Sequence, residues 1–425
     1  PESEHQAPPA AGAAPRVARE AFTQGKLGNG IPVIVAQTGA VPIATMTIVL
    51  PGGSATDPAG KAGLASLAAG LADQGTATRS APEIAAALES LGAQITASDN
   101  PDGTYVSLTA PTANLAAAGA ILAHVVRNAS YPQDELDRER KRTIDGLQVS
   151  LKDPGSLANM VAARVFYGDA GYGSVATVNS LPRITRDELI AWRTRWWHPQ
   201  TAKIVVSGGI APARATALAE QLFGDWQQAQ APGVVSSDPA GPARAPTTVV
   251  IDMPTAGQAA VVAGVRAPAR TSADYYPLLL ANAVLGAGSN GRLFEEIRTK
   301  RALSYGAYSA FPSRADETVL AASAQTKNET ADEVAQVMLG ELGRLGTSPA
   351  AAEALEKRRL FLGGSFARAL ETSAGFNGIV AGLMLQGIDP NEAARYAERL
   401  ASVSPEAAAD VARRLVTGDK ASVVI

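Results

Sequence analysis

The chain has 425 residues, 46% of them apolar and 18% charged, with a formal charge of −3, no cysteine and three histidines. That length exceeds one core of ordinary size, and that apolar fraction excludes wholesale disorder. The charge balance offers no basic field for nucleic acid, no apolar run reaches membrane-spanning length, and the lack of cysteine removes disulfides, thiolate zinc sites and cysteine nucleophiles.

The opening PESEHQAPPAAGAAPRVARE predicts a flexible tail over 1–21. A mature exported protein whose signal has been removed would begin this way, so the expected location is the periplasm, with the cytoplasm as the alternative. From Gly25 two strands are predicted: LGNGIPVIVAQ turns at Asn29-Gly30, and VPIATMTIVLPGG stops at Gly52-Gly53. Leu64, Leu67 and Leu71 share a helical face within 60–74, and Ile84, Leu88 and Leu91 share another within 81–91, capped by Ser80. A hairpin turning at 100–103 follows, then helices over about 112–128, 132–150, 154–168 and 186–197, the strand TAKIVVSGG, and a helix ending near Phe223.

Residues 227–246, rich in Pro, Ala, Ser and Gly, predict a linker. The order then recurs: strands TTVVIDMP and QAAVVAGVRAP, helices at 273–286 and 291–300, a hairpin, helices from 329 onward and a last strand ASVVI. The expected fold is α+β. Two homologous mixed α/β units, 22–226 and 247–425, each a mostly antiparallel sheet with helices on one side, are joined by the linker in a clam-shell.

His5, His124 and His198 share no helical metal-binding spacing, and His198 reads as a packing residue beside Trp196 and Trp197. The run DELDRERKR at 134–142 reads as a solvated helix face with pairs Asp134–Arg138 and Asp137–Lys141, or as part of a partner surface. GAGSNG at 286–291 lacks the Lys-Ser/Thr ending of a phosphate loop and reads as a turn between helices.

The segment GGSATDPAGKAGLASLAAGLADQGT resembles the motif region of the pitrilysin/insulinase family of zinc metallopeptidases, in particular its short-chain branch. The resemblance covers nearly all of 22–425. Where the family's inverted motif has His, Glu and His, this chain has Ser66, Ala69 and Gly70. The position matching the third ligand, a glutamate on a later helix, is Gly146, beside Asp145. Zinc needs three protein donors with an open site for water, and a base must take the water's proton, so no metal is expected in this chain. A separate site built from Asp145, Glu139 and a distant histidine is not favoured.

GAGSNGRLFEEIRTKRALSYGAYS resembles the family segment in which an Arg on a helix is followed, seven residues on, by a Tyr. The match assigns Arg298 and Tyr305, with Arg301 as a substitute for the cation. By the resemblance, the pair holds a substrate carbonyl and stabilises the oxyanion. Taken as residue types alone, they are a cation near a helix C-terminus and a strand aromatic. The resemblance implies a non-zinc subunit, inactive alone and similar to the alpha subunit of mitochondrial processing peptidase. Its partner would be a homologous zinc-bearing subunit with an intact H-x-x-E-H, and its substrates unfolded peptides bound as an added strand. The alternative is an inert structural core subunit or a peptide-binding chamber of the same fold.

Overall fold

The computed structural model describes residues 22–39, 41–236 and 238–425, so the tail expected over 1–21 lies outside the described residues. The first half contributes strands β1 (Phe22–Lys26), β2 (Pro32–Gln37), β3 (Ile43–Pro51), β4 (Gln94–Asp99), β5 (Gly103–Pro111) and β6 (Lys203–Gly208). They form one sheet in the order β1-β2-β6-β3-β5-β4. Its helices are α1 (Leu64–Gly70), α2 (Ala81–Ser90), α3 (Leu115–Asn128), α4 (Gln133–Ser150), α5 (Pro154–Tyr167), α6 (Arg186–Trp196) and α7 (Pro212–Phe223).

The second half supplies β7 (Thr248–Val249), β8 (Ala259–Ala267), β9 (Ala307–Ala310), β10 (Thr318–Thr326) and β11 (Ser422–Val424), in the order β7-β11-β8-β10-β9. Its α-helices are α8 (Tyr275–Leu285), α9 (Ala331–Thr347), α10 (Ala352–Leu370), α11 (Ser373–Leu385), α12 (Glu392–Ala401) and α13 (Pro405–Leu415). The two orders match strand for strand once β1 is set aside. The parallel pair falls at the same place in each, β2 with β6 and β7 with β11, while the other pairings are antiparallel. This is the duplicated, mostly antiparallel architecture expected.

Local chemistry explains the turns. Gly30 takes the left-handed conformation at φ +90 that the β1–β2 hairpin needs, and Asn29 Nδ2 donates to Phe223 O at 2.7 Å. Asn100 Oδ1 accepts from the Asp102 and Gly103 amides at 2.8 and 2.9 Å, closing the β4–β5 turn. Ser80 N donates to Glu83 at 2.8 Å where the cap of α2 was expected.

Each sheet has one face on its own helices and the other on a helix from the opposite half. α5, from the first half, sets Ala158, Ala162 and Phe166 against Ala260, Val262 and Val319 of the second sheet. In exchange α11, from the second half, sets Phe376, Val380 and Met384 against Ile34, Val49 and Val205 of the first. The nearly unbroken burial along β3 and β8 follows from this cover on both faces.

Three expectations are corrected in detail. Residues 291–300 do not form an ordinary α-helix, because Phe294–Lys300 is π-helical; its cap, Arg301, is followed by Ala302, a non-glycine residue at φ +51. The strand expected over TTVVIDMP narrows to Thr248–Val249; Val250 is 71% exposed, and Ile251 N makes a last bond to Ile425 O at 2.8 Å before the chain leaves the sheet edge. The charges on α4 pair as Glu135–Arg138, Asp137–Arg140, Glu139–Arg142 and Lys141–Asp145 rather than as Asp134–Arg138 and Asp137–Lys141. Three of the four are spaced i, i+3, the other distance at which helical side chains meet.

Candidate functional site

The two halves meet at equivalent hairpins. Asp102, in the β4–β5 turn, accepts from Ala315 N in the β9–β10 turn at 3.1 Å and from the Tyr172 hydroxyl. Asp316 N donates to the same hydroxyl at 3.2 Å, and the Arg314 guanidinium lies 4.5 Å from the Tyr172 ring centroid. This junction fixes the second sheet beside α5.

Beyond α5 the same face of the second sheet carries a cavity of about 590 Å³, lined by Arg298, Tyr305, Tyr308, Ser323, Gln325 and, from the first half, Asn159. The π-helical turn carries Arg298, half-buried, and the loop after Ala302 carries Tyr305, 88% exposed. The Arg298 guanidinium lies 4.5 Å from the Tyr305 ring centroid. Among the described residues Arg298 has no carboxylate partner. The neighbouring cations do: Lys300 reaches Glu295 and Glu296 at 3.0 and 2.7 Å, and Arg301 reaches Glu296 at 2.5 Å. Those hydrogen bonds draw the Glu296 carboxyl down to about 2. Arg301 is thus committed to its own helix, whereas Arg298 faces the cavity. The arrangement offers a cation and a phenol to an anionic or carbonyl oxygen.

The other predicted positions lie in the first half. Ser66 and Gly70 are exposed on α1, Ala69 is buried at 2% exposure, and Gly146 is exposed on α4. A methyl group added at Gly70 or Gly146 would meet no atom within 4 Å. Asp145 is held by Lys141 at 2.6 Å and Glu139 by Arg142 at 2.7 Å, so neither is an idle donor. His198 is fully buried: Nδ1 accepts from Gln200 N at 3.1 Å, leaving Nε2 to donate to Gln230 O at 2.8 Å. Among the described residues no three His, Cys, Asp or Glu side chains are grouped so as to hold a metal ion. Ser66, Ala69, Gly70 and Gly146 do not fit zinc.

Two carboxyls absent from the sequence reading stand beside α1. Asp57 accepts from Gly63 N and Ala65 N at 2.7 and 2.9 Å, closing the N-terminus of α1. Burial pushes its carboxyl up to about 7, opposed by these amides and reinforced by repulsion from Asp99. Asp99, at the end of edge strand β4, is also raised by burial, partly offset by the Ser66 and Ser54 hydroxyls. The signal for Asp57 was the stretch TDPAG before the helix.

The class defined so far is a duplicated α+β clam-shell without a metal-holding cluster among the described residues. Comparison with known proteins gives its family. The model for "Insulinase (Peptidase family M16)" matches residues 33–170, and that for "Peptidase M16 inactive domain" matches 183–360. The chain belongs to the pitrilysin/insulinase (M16) peptidase family. An uncharacterized zinc protease of Mycobacterium leprae is 28% identical over 69% of this chain and 66% of its own length. A crystal structure of a peptidase M16 inactive domain from Pseudomonas fluorescens superposes with a TM-score of 0.87 at 22% identity, covering 95% of this chain and 97% of that one. The periplasmic protease PqqL from Escherichia coli gives 0.80 at 16% identity, covering 95% of this chain and 45% of PqqL. No described helix is long and apolar enough to cross a membrane.

Proposed function

We propose that this chain is a metal-free, peptide-binding member of the family that hydrolyses nothing alone, and that it works as the non-zinc subunit beside an H-x-x-E-H homologue. The first part draws on the chain itself: the positions of the zinc motif hold no donors, and the fold is like that of an inactive M16 domain. The second part rests on one observation, the Arg298–Tyr305 stack at the cavity, with a cation that meets no carboxylate among the described residues. In this reading the partner brings zinc, the water and the general base. Arg298 holds the substrate carbonyl, and Tyr305 donates a hydrogen bond to the oxyanion as charge develops. The likeness to PqqL supports a periplasmic setting.

The inert reading, a structural subunit or a chamber without hydrolysis, needs only the first set of observations and is therefore the simpler one. Mixing decides between them. The purified chain is titrated with an H-x-x-E-H homologue while peptide cleavage and complex mass are followed. Activity that appears only on mixing and saturates at one to one supports the shared site. A chain that binds peptide but neither joins nor activates the homologue is the inert chamber.

A further inference from the structure

Next to the Arg298–Tyr305 cavity a second cavity of about 460 Å³ opens on the same face of the second sheet. Leu157 and Ala158, near the start of α5, line one side, Ala260 of β8 lines another, and Ile251, Met253 and Ala256 come from the arch 250–258. The arch is held in place. Ile251 N donates to Ile425 O at 2.8 Å, Ala256 N to Met253 O at 2.9 Å, and Asn328 Nδ2 to Ala256 O at 3.1 Å. The cavity is therefore built by an arch tied at one end to the sheet edge, through Ile251, and at the other to Asn328.

Gln258 and Ala260 line both cavities. The two cavities therefore adjoin, and an extended peptide, which turns alternate side chains to one side every roughly 7 Å, can reach from one into the other. The first cavity is rich in polar groups; the second is mainly apolar, with Asp252 exposed. We propose that the second cavity takes a large apolar side chain, Phe or Leu, of an extended peptide whose backbone lies in the Arg298–Tyr305 cavity. This rests on the peptide-binding reading above. It assigns this half of the clam-shell a side-chain preference, where the Arg–Tyr pair reads only backbone.

The test uses fluorescein-labelled ten-residue peptides of Gly, Ser and Ala with a central Phe, Leu, Lys or Ala, bound to the full chain and followed by anisotropy. Phe and Leu peptides should bind at least about tenfold tighter than the Ala peptide, because an apolar pocket separates side chains that differ by several carbons by about that much or more. Ala256→Phe, which fills the cavity from the half-buried arch, should erase the advantage. Val250→Asp, at an exposed position on the rim, should reduce it without burdening the fold. Equal affinity for all four peptides, a preference for Lys drawn by Asp252, or a Phe advantage that survives both variants overturns the assignment. If the preference is absent while Arg298→Ala still abolishes binding, the cavity assignment falls and the peptide-binding reading stands. Failure of every peptide to bind overturns both.

Discussion

The side-chain nitrogen of Asn377, on α11 of the second half, donates to the carbonyl oxygen of Thr45, on β3 of the first, at 3.0 Å. Thr47 Oγ1 and Val205 O lie at 3.1 Å from the same nitrogen, and Ser207 Oγ donates to Asn377 Oδ1 at 2.7 Å. A buried amide with both ends satisfied fixes where α11 sits on the first sheet. Asn377→Ala should lower stability by about 2–4 kcal/mol, since it strands several buried polar groups. Asn377→Asp should do no better, because a carboxylate cannot donate to these carbonyls. Urea midpoints for the three proteins check this; unchanged midpoints would reduce the network to a bystander.

Asp57 should make stability fall with pH. Its carboxyl titrates near 7 in the folded chain, against an ordinary value of 3.8. The folded state therefore holds the proton more tightly, and this contribution is complete below about pH 4 and lost as pH rises through 7. Asp57→Asn keeps one acceptor for the α1 amides and should flatten the slope between pH 4 and 7. The remainder comes partly from Asp99, which is raised in the same sense. Chemical denaturation at half-unit pH steps reads the slope, and a variant with the wild-type slope would clear Asp57 of any part in it.

In the proposed complex with a zinc-bearing homologue, Tyr305→Phe should lower kcat by roughly 10²-fold with assembly unchanged, the usual loss for one oxyanion donor, which is the role proposed for Tyr305. Arg298→Ala should raise KM more than Tyr305→Phe does, because a cation on the ground-state carbonyl contributes to binding before the transition state. Arg301→Ala should affect neither constant, since that side chain is tied to Glu296. Full kcat in a properly assembled Tyr305→Phe complex would return Tyr305 to the status of a surface aromatic.

Much of this was legible in the sequence, and the rest was hidden for physical reasons. Period and turn chemistry gave the element order, because Asn29-Gly30, Ser80 and the leucines of α1 act locally. The exchange of α5 and α11 is a long-range event with no local period. Its trace was compositional: SAGFNGIVAGLML is apolar nearly all round, as a helix buried between layers must be. The π-helical turn leaves the apolar pattern of 291–300 intact, so only coordinates separate it from an α-helix. The Arg298–Tyr305 pair was found by resemblance. Asp57 and Asp99 were missed because one carboxyl in a turn and another at a strand end look ordinary until burial brings them together.

Rebuilding the zinc motif should fail at one position before the others. Gly70→His and Gly146→Glu point into open space and should leave the melting temperature nearly unchanged, whereas Ala69→Glu places a carboxylate where the present side chain is 2% exposed. The triple variant Ser66→His, Ala69→Glu, Gly70→His should bind zinc weakly while Gly146 remains, because the third ligand is missing. Metal content after dialysis and thermal melts of each single variant measure both claims. Stoichiometric, dialysis-resistant zinc in the triple variant would contradict them.

Ala302 provides a small stability test at the cavity itself. At φ +51 its β-carbon crowds the following carbonyl, a cost of about 1 kcal/mol that glycine does not carry. Ala302→Gly should recover part of that, less the extra freedom glycine gives the unfolded chain. A gain of about 0.5 kcal/mol in denaturant unfolding is expected, and a loss would mean the methyl packs usefully in the cavity wall.

The exchange of helices also imposes an order on synthesis. When Gly208 leaves the ribosome every strand of the first sheet has been made, yet the helix that covers its outer face lies some 165 to 177 residues downstream, at Ser373–Leu385. At about 5–20 residues per second, that interval is on the order of ten to thirty seconds. Throughout it Ile34, Val49 and Val205 have no α11 to meet. The nascent first half is therefore a target for chaperones or for stray strand partners until its twin is complete.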